Sequence, residues 1–186
     1  MLKFNKINTP IKDLYIIEPT VFGDHRGFFM ETYAKRDFLN IGLTVEFVQD
    51  NHSKSKKGVL RGLHFQTKYP QSKLVRVTSG AVFDVAVDLR KNTPTFGQYF
   101  GIELSEENKK MFYIPEGFAH GFLALTDTVE FLYKTTNYYY PEYDSGVIWN
   151  DPDINIAWPL KKYGIKPILS PKDEKLPRLK DIKPFE

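Results

Sequence analysis

Hydrophobic and polar positions alternate most regularly over residues 81–89. Ala81, Phe83, Val85, Val87 and Leu89 fall on one face there, and Val82, Asp84, Ala86 and Asp88 on the other. A period of two is the signature of a β-strand. Residues 73–78 form a second such run just before it, and Ser79-Gly80 reads as the joining turn. Further strands are predicted at residues 44–49, 59–66, 99–104, 110–114, 121–125 and 129–138. Turn chemistry at Asn92-Thr93-Pro94, Pro115-Glu116-Gly117 and Thr126-Asp127 separates several of them. Helix signals are few: Lys35–Asn40, before Gly42, predicts one short helix. The tail from Leu160, rich in Pro and Lys, predicts loops and short turns. Many short strands without repeats, low-complexity runs or linkers predict one all-β domain over residues 1–186. A sandwich or barrel is expected, with a double-sheet jelly roll among the choices.

Composition narrows the chemistry. The chain has 186 residues, 41% hydrophobic and 15% aromatic, enough for a sizeable packed core. It has no Cys, which removes disulfides, thiolate metal sites and Cys nucleophiles. A formal net charge of +3 is too small to argue for a nucleic acid polymer. No apolar run approaches the roughly 20 residues of a membrane helix. The start, Met1-Leu2-Lys3-Phe4-Asn5-Lys6, has no apolar signal core, so cytoplasmic residence is expected. Lys54, Lys56, Lys57, Arg61, Lys73 and Arg76 crowd one stretch of sequence. They read either as a solvated face or as a site for an anionic small molecule such as a diphosphate.

One strand breaks the apolar pattern. Gly58-Val59-Leu60-Arg61-Gly62-Leu63-His64-Phe65-Gln66 carries an Arg and a His inside a β-prone run. Strand interiors exclude such groups unless they find partners, and His is the side chain that titrates near neutrality. Regular alternation puts Leu60, Gly62, His64 and Gln66 on one face, with Gly62 leaving space beside His64. It also puts Arg61 on the opposite face, unless Gly62 bends the strand or Arg61 serves a neighbouring subunit. His120 falls in a turn entering a strand, and Tyr133 within a strand, where a phenol can act as a general acid. For a lone His or Tyr, the structural role is the commoner one.

Several segments together carry a family resemblance. They are residues 49–66, Gly23-Asp24-His25-Arg26-Gly27-Phe28-Phe29, residues 79–90, and Asn92-Thr93-Pro94-Thr95-Phe96-Gly97. The series continues through residues 114–122, Tyr133-Lys134-Thr135-Thr136-Asn137-Tyr138-Tyr139, Trp149-Asn150-Asp151 and Leu169-Ser170-Pro171-Lys172-Asp173. In this order they resemble the dTDP-4-dehydrorhamnose 3,5-epimerases over nearly the whole chain. The resemblance implies an all-β, double-sheet jelly-roll (cupin) barrel with a few short helices, dimeric and without cofactor or metal. It implies inversion of C3 and C5 of dTDP-4-keto-6-deoxyglucose. His64 then matches the base, Tyr133 the acid on the opposite face, and Lys73 the cation at the enolate oxygen. Asp173 matches the carboxylate that orients His64; Asp84 is a second candidate, from strand pattern alone. Arg26 and Arg61 match phosphate contacts, Glu31, Gln49 and Asn51 nucleotide contacts, and His120 a polar pocket contact. Tyr139 matches the aromatic stacked on thymine. Asp144 stands where relatives often carry Glu, and Lys172 sits beside Asp173.

Three rival readings share the fold. A metal-dependent cupin needs paired His at HxH spacing, and Gly62 occupies the place of the first ligand. A sugar-nucleotide binding module needs the pocket but not the acid and base. A single-centre epimerase acting at C3 or C5 alone fits less well, because Tyr133 keeps the acid in place.

Overall fold

The computed structural model describes residues 3–186; Met1 and Leu2, at the head of the segment read for a signal core, lie outside them. In chain order the strands are β1 (Phe4–Asn8), β2 (Tyr15–Pro19), β3 (Val21–Asp24), β4 (Gly27–Met30), β5 (Gln49–Lys56), β6 (Leu60–Gln66) and β7 (Lys73–Ser79). They continue as β8 (Ala81–Asp88), β9 (Tyr99–Ser105), β10 (Met111–Ile114), β11 (Phe118–Ala124), β12 (Thr128–Thr135) and β13 (Asp144–Gly146). Helices α1 (Lys35–Asn40) and α2 (Leu160–Tyr163) are short. A six-stranded sheet runs β1-β2-β10-β7-β12-β5, and a five-stranded sheet runs β13-β6-β11-β8-β9. β3 and β4 pair as a separate hairpin. The fold is thus mostly β and antiparallel, as the strand spacing predicts.

The alternation of β8 has a physical reason on both faces. Val82 and Ala86 point between the sheets, into a core with Val75, Val77, Phe112, Phe122 and Phe131. Phe122 and Phe131 stack across the sheets with ring centroids 4.3 Å apart, an arrangement that adds about 1 kcal/mol to area burial. Val85, Val87 and Leu89 point the other way, under Val147, Ile154 and the last segment through Phe185. The outer face of the larger sheet is covered in part by α1, whose Phe38 packs with Phe4, Ile17, Leu74 and Met111.

Three expectations about the elements need correction. Of residues 44–49 only Gln49 is in a strand; Val45 and Phe47 pack from irregular chain against the α1 cluster. The strand begins at Gln49 and is polar throughout, because β5 is an edge with one face in solvent and the other in a polar cleft. The strand over residues 129–138 ends at Thr135. His120 lies within β11, not in a turn.

Strict alternation also fails in β6. Arg61 pairs with Phe122 and His64 with His120, so three steps on β6 oppose two on β11. This is a β-bulge, with the extra residue at Gly62-Leu63. Leu60 packs with Leu123 and Leu125, and Leu63 and Phe65 with Val85 and Val87, all on the outer face. Arg61, His64 and Gln66 therefore share the inner face. Gly62 permits this: its φ is +114°, and a Cβ there would lie 2.6 Å from the Gly121 Cα and 2.7 Å from the His120 carbonyl oxygen.

Candidate active site

The inner faces of the two sheets are apolar at one end and polar at the other. Gln49, Asn51 and Ser55 come from β5, Arg61 and His64 from β6, Lys73 from β7, His120 from β11 and Tyr133 from β12. Arg61 bridges the sheets by donating from Nε to the Ser55 hydroxyl, 3.2 Å away. His64 stands on the smaller sheet and Tyr133 on the larger, so the cleft between them is walled by both.

His64 Nε2 lies 2.6 Å from Asp173 Oδ1. The carboxylate comes from a turn of 3-10 helix at Asp173–Lys175 and is nearly buried, whereas the imidazole is about a third exposed. Burial alone would raise the Asp173 carboxyl. Hydrogen bonds with His64 and Ser170, and the nearby Lys172, hold it below the ordinary carboxylate range. An ionised Asp173 takes the Nε2 hydrogen and leaves His64 Nδ1 as the free basic nitrogen.

Asp84, the alternative partner for His64, bonds elsewhere. Both its oxygens lie 3.0 Å from His120 Nε2, and the pair is buried. Burial pushes the Asp84 carboxyl up, against the pull of His120 and Lys73. It pushes the His120 imidazole down.

Lys73 opens β7 on the inner face, half-buried, and its ammonium makes no hydrogen bond or ion pair among the described residues. Desolvation brings its pKa down to about 8, against the fields of Asp84 and Asp144. Tyr133 is held up by burial; Arg61 pulls the other way, and Asp144 adds to the rise. Its phenol stays protonated at neutral pH. The Asn51 side-chain nitrogen is buried without a partner. Buried polar groups seldom lack partners, so a cleft holding an unpartnered ammonium and amide is built for a ligand with acceptor oxygens.

A second network frames the mouth. Tyr139 donates its hydroxyl to Asp144 (2.8 Å), and its backbone N–H bonds the Gln49 side chain (3.0 Å). Lys172 pairs with Asp144, and Gln49 donates to Asn51 (2.8 Å). Gln66, which sequence reasoning places only on the His64 face, is the hub. Its amide bonds the Tyr69 and Tyr138 carbonyls and the Tyr140 N–H, fixing the chain on both sides of Tyr139. Ser55, as the partner of Arg61, is a second residue missed; its inner-face place follows from β5 alternation once that strand is located.

Two predicted residues do not join the cleft. Arg26 lies on the β3–β4 hairpin, exposed and paired with Asp24. Glu31 follows the hairpin and pairs with Lys3. The basic cluster read from sequence also divides. Lys54 and Lys56 lie on the solvent face of β5, Arg76 on the outer face of β7, and only Arg61 and Lys73 face inward.

The family model described as dTDP-4-dehydrorhamnose 3,5-epimerase matches residues 8–181. The dTDP-4-dehydrorhamnose 3,5-epimerase of Escherichia coli (strain K12) is 58% identical over 180 residues, covering 96% of each chain. That of Methanothermobacter thermautotrophicus is 58% identical over 161 residues, 87% of each chain. Among solved structures, the dTDP-6-deoxy-D-glucose-3,5-epimerase of Legionella pneumophila in complex with dTDP-4-keto-L-rhamnose superposes with a TM-score of 0.92. It is 52% identical, and the match covers 97% of this chain and 95% of that one.

Proposed function

Because the chain belongs to the dTDP-4-dehydrorhamnose 3,5-epimerase family, we propose that its cleft inverts C3 and C5 of dTDP-4-dehydro-6-deoxy-D-glucose, giving dTDP-4-dehydro-L-rhamnose. The enzyme is an isomerase of dTDP-rhamnose biosynthesis. The observation that carries the residue assignment is the placement of His64 and Tyr133 on opposing sheets. Inversion needs a base on one face of the sugar and an acid on the other, because one group alone returns the starting configuration.

In this reading His64 Nδ1 removes the proton next to the C4 ketone, and Asp173 stabilises the imidazolium that results. Negative charge moves to O4, where the Lys73 ammonium, already stripped of partners, lowers the barrier. Tyr133, protonated at neutral pH, delivers a proton to C5 from the far side. No bound group is needed for these steps. Arg61 and Asn51 suit the diphosphate and nucleotide oxygens, and Tyr139 the thymine face, with Gln49, Asp144, Lys172 and His120 completing the walls.

Arg26 and Glu31 are proposed to act in a partner's cleft. Their hairpin exposes Phe22, Phe28 and Phe29 by 45%, 59% and 64%, an apolar surface that seeks cover. A two-fold homodimer would supply it twice. A nucleotide sugar is an intermediate of cytoplasmic synthesis, and residues 1–186 are proposed to act there as one domain.

The test is incubation with dTDP-4-dehydro-6-deoxy-D-glucose in deuterated water, following C3 and C5 by NMR. Deuterium is expected at both carbons. Exchange at neither overturns the reading.

A further inference from the structure

Asp84 is a fully buried carboxylate to which no step above gives a task. It stands on the inner face of β8, with both oxygens 3.0 Å from His120 Nε2. That equal spacing fits one N–H shared by the two oxygens of an ionised carboxylate. A carboxylic acid donating to a bare nitrogen would bring one oxygen closer than the other. The charged or titratable groups facing the pair are Lys73 from β7 and His64 from β6. The Lys73 charge favours an ionised Asp84 and opposes a second proton on His120, and burial of the imidazole acts in the same sense. His120 Nδ1 has no hydrogen-bond partner among the described residues.

We propose that Asp84 is a positioning residue that locks His120 in the Nε2–H tautomer, so that His120 Nδ1 accepts a hydrogen bond from a hydroxyl of the bound sugar. The identity of that sugar rests on the epimerase reading. His64 and His120 are cross-strand neighbours, and each turns Nε2 to a carboxylate and leaves Nδ1 without a hydrogen-bond partner among the described residues. Their surroundings divide the work. His64, about a third exposed, is the proton acceptor of the proposed reaction. His120, buried beside Lys73, is a fixed acceptor that reads the sugar's orientation. An acceptor cannot stabilise an oxyanion, so the charge on O4 is left to Lys73.

Imidazole ¹⁵N NMR on the free protein tests this directly. His120 Nδ1 is expected at a pyridine-like shift and Nε2 at a pyrrole-like shift through the neutral range. In Asp84→Asn the amide offers a donor as well as an acceptor, so the fixed pattern should become mixed. kcat/KM for the dTDP-keto sugar should then fall about tenfold or more, the scale on which partners of functional histidines act. A wild-type His120 protonated at Nδ1, or at both nitrogens, overturns the proposal. So does an Asp84→Asn protein with unchanged shifts and unchanged kcat/KM. The wild-type spectrum needs no variant to fold. Its outcome is independent of the deuterium-exchange experiment that tests the epimerase reading.

Discussion

Asp173→Asn removes a charge while keeping shape, and its effect can be worked from the geometry. Asp173 Oδ1 is 2.6 Å from His64 Nε2 and the carboxylate is nearly buried. When His64 takes the substrate proton, its charge spreads over the ring, about 4 Å from the carboxylate centre. At an effective dielectric near 20, that attraction is about 4 kcal/mol. The imidazole is about a third exposed, so solvent screens part of it, leaving about 2–3 kcal/mol. That corresponds to roughly a 30- to 150-fold loss in kcat. The assay is the rate of deuterium incorporation at C3 and C5 at saturating substrate, with urea unfolding run alongside to show that the fold survives. Exchange at both carbons should slow together, because one base serves both. A folded variant within threefold of wild type would refute the assignment of His64 and Asp173 as a working pair.

Other perturbations read other parts of the cleft. Lys73→Met should abolish turnover. In the unaltered enzyme kcat/KM, which reports the free protein, should fall above about pH 8, because the ammonium titrates there rather than at 10.5; a profile flat to pH 10 would contradict the role of Lys73. Tyr133→Phe should still let protons leave while C5 inversion drops by about 10²- to 10⁴-fold, measured as deuterium retained in uninverted sugar. Gly62→Ala should cost about 3 kcal/mol or more, since a Cβ meets two backbone atoms at φ +114°; the urea midpoint measures it. Phe28→Ser with Phe29→Ser should yield monomers in sedimentation and lose activity, if the hairpin completes a partner's site.

Sequence made some of this legible because local pattern and packing agree. Both faces of β8 are buried, so its alternation of Val, Ala and Asp maps onto two cores, and Asp84 falls on its true face. The polar β5 was missed for the opposite reason. Its inner residues line a cleft and its outer ones meet water, so no hydrophobic period exists to find. Val45 and Phe47 imitated one next door. The bulge at Gly62 depends on what β11 brings against it, which alternation cannot register. Sequence therefore leaves the face of Arg61 open between a bend at Gly62 and a role in a neighbouring subunit, and the bend is what the structure shows. Asp84 could be placed on a face but not given a partner, because His120 reaches it only across paired strands. Asp173 was legible through family resemblance alone; nothing in a Pro- and Lys-rich tail marks one carboxylate as special.

That tail has a consequence for biogenesis. His64 and Asp173 are 109 residues apart, and every strand of both sheets is complete by Gly146. A chain still being synthesised can therefore close its sandwich while its base remains unoriented. Full turnover therefore reports finished synthesis. A protein clipped before Ser170 would lack the carboxylate that orients its base, and also the Leu179, Ile182 and Phe185 cover of the outer core, so its turnover should fall at least as far as that of Asp173→Asn. Fraying of the final segment by a protease would slow the enzyme by freeing Asp173 from His64.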